Sequence, residues 1–132
     1  MADTRLPLVA AGALNAAIAL GLGLDDAYFA SLAADMVRSR DRLAVGLAAL
    51  GLPVLPAHGT YFLVADAAAW MRPDEDDLAF ARRLVLEAGV VTIPLSAFYA
   101  TDAPRTLIRF CFCKADATVD EALARLTAWR AR

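Results

Sequence analysis

The chain is 132 residues long and 60% hydrophobic, with thirteen basic and fifteen acidic residues and a formal net charge of −2. That length suits one domain with one core, and basic residues spread along the chain without a patch argue against a nucleic-acid interface. Two cysteines one residue apart on a strand cannot form a disulfide framework, which points to a reducing, cytoplasmic setting.

Residues 6–24 carry no charge, a length that raises the question of a membrane span. The run is rich in alanine and glycine, contains Asn15 and breaks at Gly21-Leu22-Gly23, and the acidic Asp3 before it is foreign to a signal peptide. A buried helix over residues 6–21 is therefore expected, with Pro7 in its first turn and Gly21 at its end. Asp25 or Asp26 caps a longer second helix, in which Phe29, Leu32, Met36, Leu43, Leu47 and Leu50 recur at helical spacing. Gly51 stands where a C′ glycine belongs.

Residues 53–56 form a short extended piece, His58-Gly59 a turn, and residues 60–65 a strand rich in aromatic and branched side chains. Pro73 followed by four consecutive acids, Asp74 to Asp77, is a helix start that sets negative charge against the positive end of the helix dipole. That helix ends near Gly89. Residues 90–93 are a further strand stopped by Pro94, a loop runs through Pro104, and residues 107–113 make the last strand. Asp116 is expected to cap a final helix with Val119, Leu123, Leu126 and Trp129 on its core side. The order α-α-β-β-α-β-β-α predicts an α+β domain: a small, mainly antiparallel sheet covered by helices, forming a single domain over residues 1–132.

The last strand carries the chemistry of interest. Alternation places Ile108, Phe110 and Phe112 on one face and Leu107, Arg109, Cys111 and Cys113 on the other. A guanidinium among apolar residues is costly unless a carboxylate or phosphate meets it. Arg109 thus either pairs with an internal acid or awaits an anionic ligand. Elsewhere the candidates are sparse. His58 is the sole histidine, which excludes a multi-histidine metal site within the chain. Cys111 and Cys113 read as buried apolar thiols, Ser96 as a turn residue without a base, and the acids 74–77 as helix-start chemistry, with no metal site assigned.

Three stretches stand together in order and spacing: Gly59-Thr60-Tyr61-Phe62-Leu63-Val64-Ala65-Asp66, then Gly89-Val90-Val91-Thr92-Ile93-Pro94-Leu95-Ser96-Ala97-Phe98-Tyr99, then Leu107-Ile108-Arg109-Phe110-Cys111-Phe112-Cys113-Lys114. Together with Arg40-Asp41-Arg42-Leu43 upstream and the helix after Asp116, they resemble the class I/II, fold type I aminotransferases, in particular the kynurenine and methionine aminotransferase-like subgroup. The resemblance runs from about residue 7 to 127.

It implies a carboxy-terminal small domain of an enzyme that uses pyridoxal phosphate to move an amino group between an amino acid and a 2-oxo acid. In this family the small domain supplies an arginine that grips the substrate α-carboxylate, and Arg109 matches it. A planar fork of donors suits a planar carboxylate. The loop of Ser96 to Tyr99 lies toward the active-site side in the family, so Phe98 and Tyr99 are candidates to line the substrate entrance; packing of the loop onto the sheet is the alternative. The cofactor-binding large domain and its Schiff-base lysine lie upstream in the family. The one lysine here, Lys114, against twelve arginines, does not match that position.

The expectation is therefore an aminotransferase part, inactive and without bound cofactor on its own. A homo-oligomer is expected through the apolar surface that a neighbouring domain leaves open. The rival readings are a non-catalytic module that binds carboxylates or a protein partner, and a domain anchored in a membrane by residues 6–24.

Overall fold

The structure, a computed structural model, describes residues 5–132, with side chains from residue 14 onward. The flank read at Asp3 and the side chains of the apolar run before Leu14 lie outside the described residues. The chain divides into two units, Met1–Ala34 and Asp35–Arg132. The first holds helix α1, Arg5–Leu22, and the start of helix α2, Asp26–Ala49. Asp25 Oδ1 accepts from the N–H of Ala27 at 2.8 Å, the side-chain cap expected there. Leu14, Ile18, Leu20 and Leu22 are exposed, so the expected burial is not found over the part of α1 whose side chains are described. Among the described residues, no single helix is long and apolar enough to cross a membrane.

In the second unit α2 ends as its sequence dictates. Gly51 adopts φ +81°, its N–H donates to Ala48 O at 2.9 Å, and the N–H of Leu52 donates to Leu47 O at 3.0 Å. These two bonds form a Schellman motif, which needs the left-handed conformation that glycine tolerates without strain. Three strands follow: β1 at Phe62–Asp66, β2 at Ile93–Pro94 and β3 at Leu107–Cys111. Helix α3, Asp77–Ala88, separates the first two, and helix α4, Asp116–Arg130, closes the chain. The sheet order is β1-β3-β2, antiparallel throughout, with Val64 and Ile93 both opposite Arg109 on the central strand. The α+β class is as expected.

Two expected strands are reduced. Residues 53–56 contribute an isolated bridge, Val54 to Ala65, flanked by Leu55 N–H to Val64 O and Asp66 N–H to Pro53 O, both 2.9 Å. Pro53 and Pro56 have no N–H to extend it. Residues 90–92 do not pair, although Val90 and Thr92 are buried and Val91 is exposed as in a strand. The N–H of Val90 is still directed at Leu84 O in the last turn of α3, at 3.4 Å, and the chain reaches β3 only at Ile93.

The core lies on one face of the sheet. Leu63, Ala65, Ile108, Phe110 and Phe112 pack with Leu43 and Leu47 of α2, Phe80 and Leu84 of α3, and Val119 and Leu126 of α4. The opposite face carries Phe62, Val64, Arg109 and Cys111, none of them buried. Cys111 and Cys113 are exposed thiols, which corrects the buried reading: Cys111 shares Arg109's side of β3, and Cys113 lies beyond the end of that strand.

The four acids before α3 also differ from the simple helix-start picture. Asp74 lies in a turn at φ +64°, Asp76 caps the helix by accepting from Ala79 N–H at 2.8 Å, and Glu75 turns inward to Arg83. Arg83 Nε and Nη2 donate to the two Glu75 carboxylate oxygens at 2.7 and 2.6 Å, while Nη2 also donates to Trp70 O. The hydrogen bond from Arg83 is the main cause that holds the Glu75 carboxyl below its ordinary pKa, opposed by partial burial and aided by the Arg72 N–H. At the start of α4 the cap position is Ala115, with no side-chain bond, and Asp116 stands inside the helix. Arg42 of α2 donates to Asp116 and Asp120, joining the two helices.

Candidate functional site

Arg109 occupies the middle of the central strand, where ladders on both sides fix its backbone. Its side chain leaves the helix-covered core and lies along the opposite face. The guanidinium carbon is 3.3 Å from the ring centre of Phe62 on β1 and 4.6 Å from that of Phe98. Phe62 stands two residues before Val64, the direct cross-strand neighbour of Arg109, so strand alternation puts both on the same face. Phe98 arrives from the turn Leu95–Phe98 after β2. Aromatic faces on a guanidinium supply cation–π attraction while leaving its in-plane N–H donors unused.

The internal-acid reading of Arg109 is not what the structure contains. Among the described residues Arg109 takes part in no ion pair, and its Nε is buried without a hydrogen-bond partner. A buried unpartnered donor costs on the order of 1–3 kcal/mol, more when charged. The site therefore presents a rigid, partly desolvated cationic fork with spare donors, an arrangement suited to an anion of carboxylate shape.

The Phe98 turn has an anchor that sequence reading missed. Asp77, in the first turn of α3, is 1% exposed, and its two oxygens accept from the N–H and the hydroxyl of Ser96, both at 2.7 Å. In sequence, Asp77 was one acid of a run and Ser96 a turn residue; only an unbroken acidic charge at a helix start facing a distant Ser-Ala-Phe turn could have hinted at the pair. Tyr99 is half exposed, and its N–H donates to Ser96 O at 3.1 Å; it stacks on no ring among the described residues.

The other candidates stand apart from this arrangement. His58 is exposed in its turn. Lys114 is exposed after β3 and borders a groove of about 310 Å³ shared with Val90, Val119 and Arg125, a groove whose walls do not include Arg109. Among the described residues no cluster of His, Cys, Asp or Glu is arranged to hold a metal ion.

The described residues form a three-stranded antiparallel sheet backed by helices, with an arginine held on its open face, and comparison with known proteins finds this α+β arrangement among aminotransferases. Residues 2–126 match the family model of aminotransferase class I and II. The chain belongs to that family. A probable N-succinyldiaminopimelate aminotransferase of Mycobacterium tuberculosis is 39% identical over 96% of this chain and 34% of its own length. The methionine aminotransferase of Escherichia coli is 43% identical over 67% of this chain and 22% of its own. The solved structure of N-succinyldiaminopimelate aminotransferase from Mycobacterium tuberculosis superposes with a TM-score of 0.76 at 42% identity, covering 86% of this chain and 29% of that one. The chain thus spans about a third, or less, of the relatives it matches.

The family implies pyridoxal phosphate, and the residues present do not fit it. A Schiff-base lysine must be sheltered and aimed at the cofactor. The sole lysine, Lys114, is exposed and borders a groove that Arg109 does not line.

Proposed function

We propose that this chain is the carboxy-terminal small-domain part of a pyridoxal phosphate-dependent aminotransferase, a single domain with its preceding helix, and that Arg109 binds the α-carboxylate of the amino acid or 2-oxo acid. The observation that carries this is the Arg109 guanidinium itself, its carbon 3.3 Å from the Phe62 ring centre and 4.6 Å from that of Phe98, with a buried Nε that has no partner among the described residues. Bidentate pairing with the guanidinium would orient the substrate Cα. Phe98 lines the entrance to this position, and Tyr99 follows it at the rim. Cofactor anchoring and proton transfer belong to residues that this chain does not supply, so the chain alone does not transaminate.

Isotope-edited NMR of the arginine Nε–H groups tests this directly. Titration with methionine or propionate is expected to move the Arg109 signal with millimolar affinity, since one clamp delivers only about 4 kcal/mol. Arg109→Gln should abolish the response. Tight binding that survives Arg109→Ala refutes the role, and a borohydride-reducible pyridoxal phosphate adduct at Lys114 with turnover of an amino acid refutes the inactivity.

The exposed Leu14, Ile18, Leu20 and Leu22 support association between copies of the chain. Sedimentation velocity should show an oligomer whose size depends on concentration. A monomer at high concentration would count against it.

A further inference from the structure

Asp77 is a charged side chain that the carboxylate-binding role of Arg109 leaves unexplained. It is 1% exposed and makes no ion pair among the described residues, and the cap of α3 is already supplied by Asp76. Burying a carboxylate is costly, and the cost is offset here by the positive end of α3 and by two short bonds from Ser96. Both bonds reach across 19 positions of sequence to one residue, at the second position of the turn whose last residue is Phe98.

We propose that Asp77 is a positioning residue for the carboxylate site: by accepting from the Ser96 N–H and hydroxyl it locks the Leu95–Phe98 turn and so holds the Phe98 ring over the Arg109 guanidinium. The inference rests on the reading of Arg109 as the carboxylate clamp. Several facts converge on it. Phe98 is 59% exposed, so burial does little to fix its ring, and its backbone must be held from elsewhere. Leu95 and Ser96 are only half-buried, and the turn has no side-chain cap of its own, so Asp77 supplies the side-chain restraint that the turn lacks. Phe62 needs no such device, because β1 pairs directly with the Arg109 strand. One ring of the pair is thus set by the sheet and the other by a buried carboxylate on a helix.

The test compares Asp77→Asn, Ser96→Ala, Ser96→Thr and Phe98→Leu in the full chain. Two quantities are read by NMR: the Arg109 Nε–H resonance without ligand, and the affinity for methionine. Release of Phe98 removes its ring-current shielding, so Asp77→Asn and Ser96→Ala should both move the Arg109 resonance downfield toward its place in Phe98→Leu. Ser96→Thr, which keeps the hydroxyl, should leave it near the wild-type position. Methionine affinity should fall about threefold to fivefold in the first two variants, matching Phe98→Leu. A merely structural Asp77 would lower Tm and leave both readouts as in wild type, which would overturn the proposal. Ser96→Ala decides the matter if Asp77→Asn does not fold. If wild type shows no response to methionine, the clamp reading fails by itself, and the ligand-free resonance still reports whether Asp77 holds Phe98.

Discussion

The guanidinium carbon of Arg109 sits over the ring of Phe62, 3.3 Å from its centre, across two hydrogen-bonded strands. The register fixes both backbones, so the cation is positioned by the most ordered part of the fold. Phe62→Leu keeps apolar volume but removes the π face. A loss of about 0.5–1 kcal/mol in carboxylate binding is expected, roughly a twofold to fivefold weaker affinity, with the helices unchanged by circular dichroism. Arg109→Lys should lose more, because an ammonium cannot present a planar fork. Equal affinities for Arg109→Lys and wild type would show that the fork geometry is irrelevant.

Arg83 and Glu75 form the polar brace of the unit. Their side chains are 10% and 9% exposed, and Arg83 lies 5.0 Å from the Phe80 ring centre and 5.1 Å from that of Trp129. Removing Glu75 alone leaves a nearly buried cation with Trp70 O and the more distant Glu87 for company. Glu75→Gln should therefore cost about 3 kcal/mol in chemical denaturation. Replacing both partners at once, Glu75→Gln with Arg83→Met, should cost clearly less than the two single losses added. Simple additivity would mean that the pair does not act as a unit.

Much of this architecture was legible locally. The Asp25 cap, the Gly51 and Gly89 helix ends and the alternation of Ile108, Arg109 and Phe110 follow from short-range rules, and each is present. The features that sequence could not supply depend on partners far along the chain. Asp116 resembles a cap but stands inside α4, where Arg42, 74 positions earlier, reaches its carboxylate. Four adjacent acids look interchangeable, yet one sits in a turn, one faces Arg83, one caps α3 and one holds Ser96. Residues 90–92 have strand composition and strand-like burial but no ladder, because pairing is decided by where α3 releases the chain. For Arg109, composition raised the choice between ion pair and ligand site, and only the positions of Phe62, Phe98 and the unpartnered Nε weigh on it.

Acid should weaken the fold in a defined direction. The carboxyls of Glu75 and Asp120 are both held below their ordinary pKa values, chiefly by hydrogen bonds from Arg83 and Arg42. A depressed carboxyl contributes stability that is fully present above its unfolded pKa, about 4 for these groups, and is lost as pH falls through the folded value. Tm should therefore be nearly flat from pH 7 to 5 and decline below about pH 4. Glu75→Gln, less stable throughout, should show a shallower decline. An identical pH profile in the variant would remove Glu75 from the acid transition.

Gly46 of α2 lies against Leu123 of α4. A Cβ at that position would meet Leu123 Cδ2 at 2.6 Å and Cγ at 3.0 Å, so the leucine side chain must move. Alanine gains about 1 kcal/mol in helix propensity over glycine, whereas forcing a methyl into a packed contact costs about 1–3 kcal/mol. The clash should win, and Gly46→Ala should destabilise the chain by about 1 kcal/mol. Leu123 is only partly buried, so Leu123→Ala opens space at moderate cost and lets the propensity gain emerge. In the Leu123→Ala background, Gly46→Ala should therefore be neutral or stabilising. Urea denaturation of the four-member cycle measures the reversal, and the same destabilisation in both backgrounds would show that α2 and α4 do not meet at this contact.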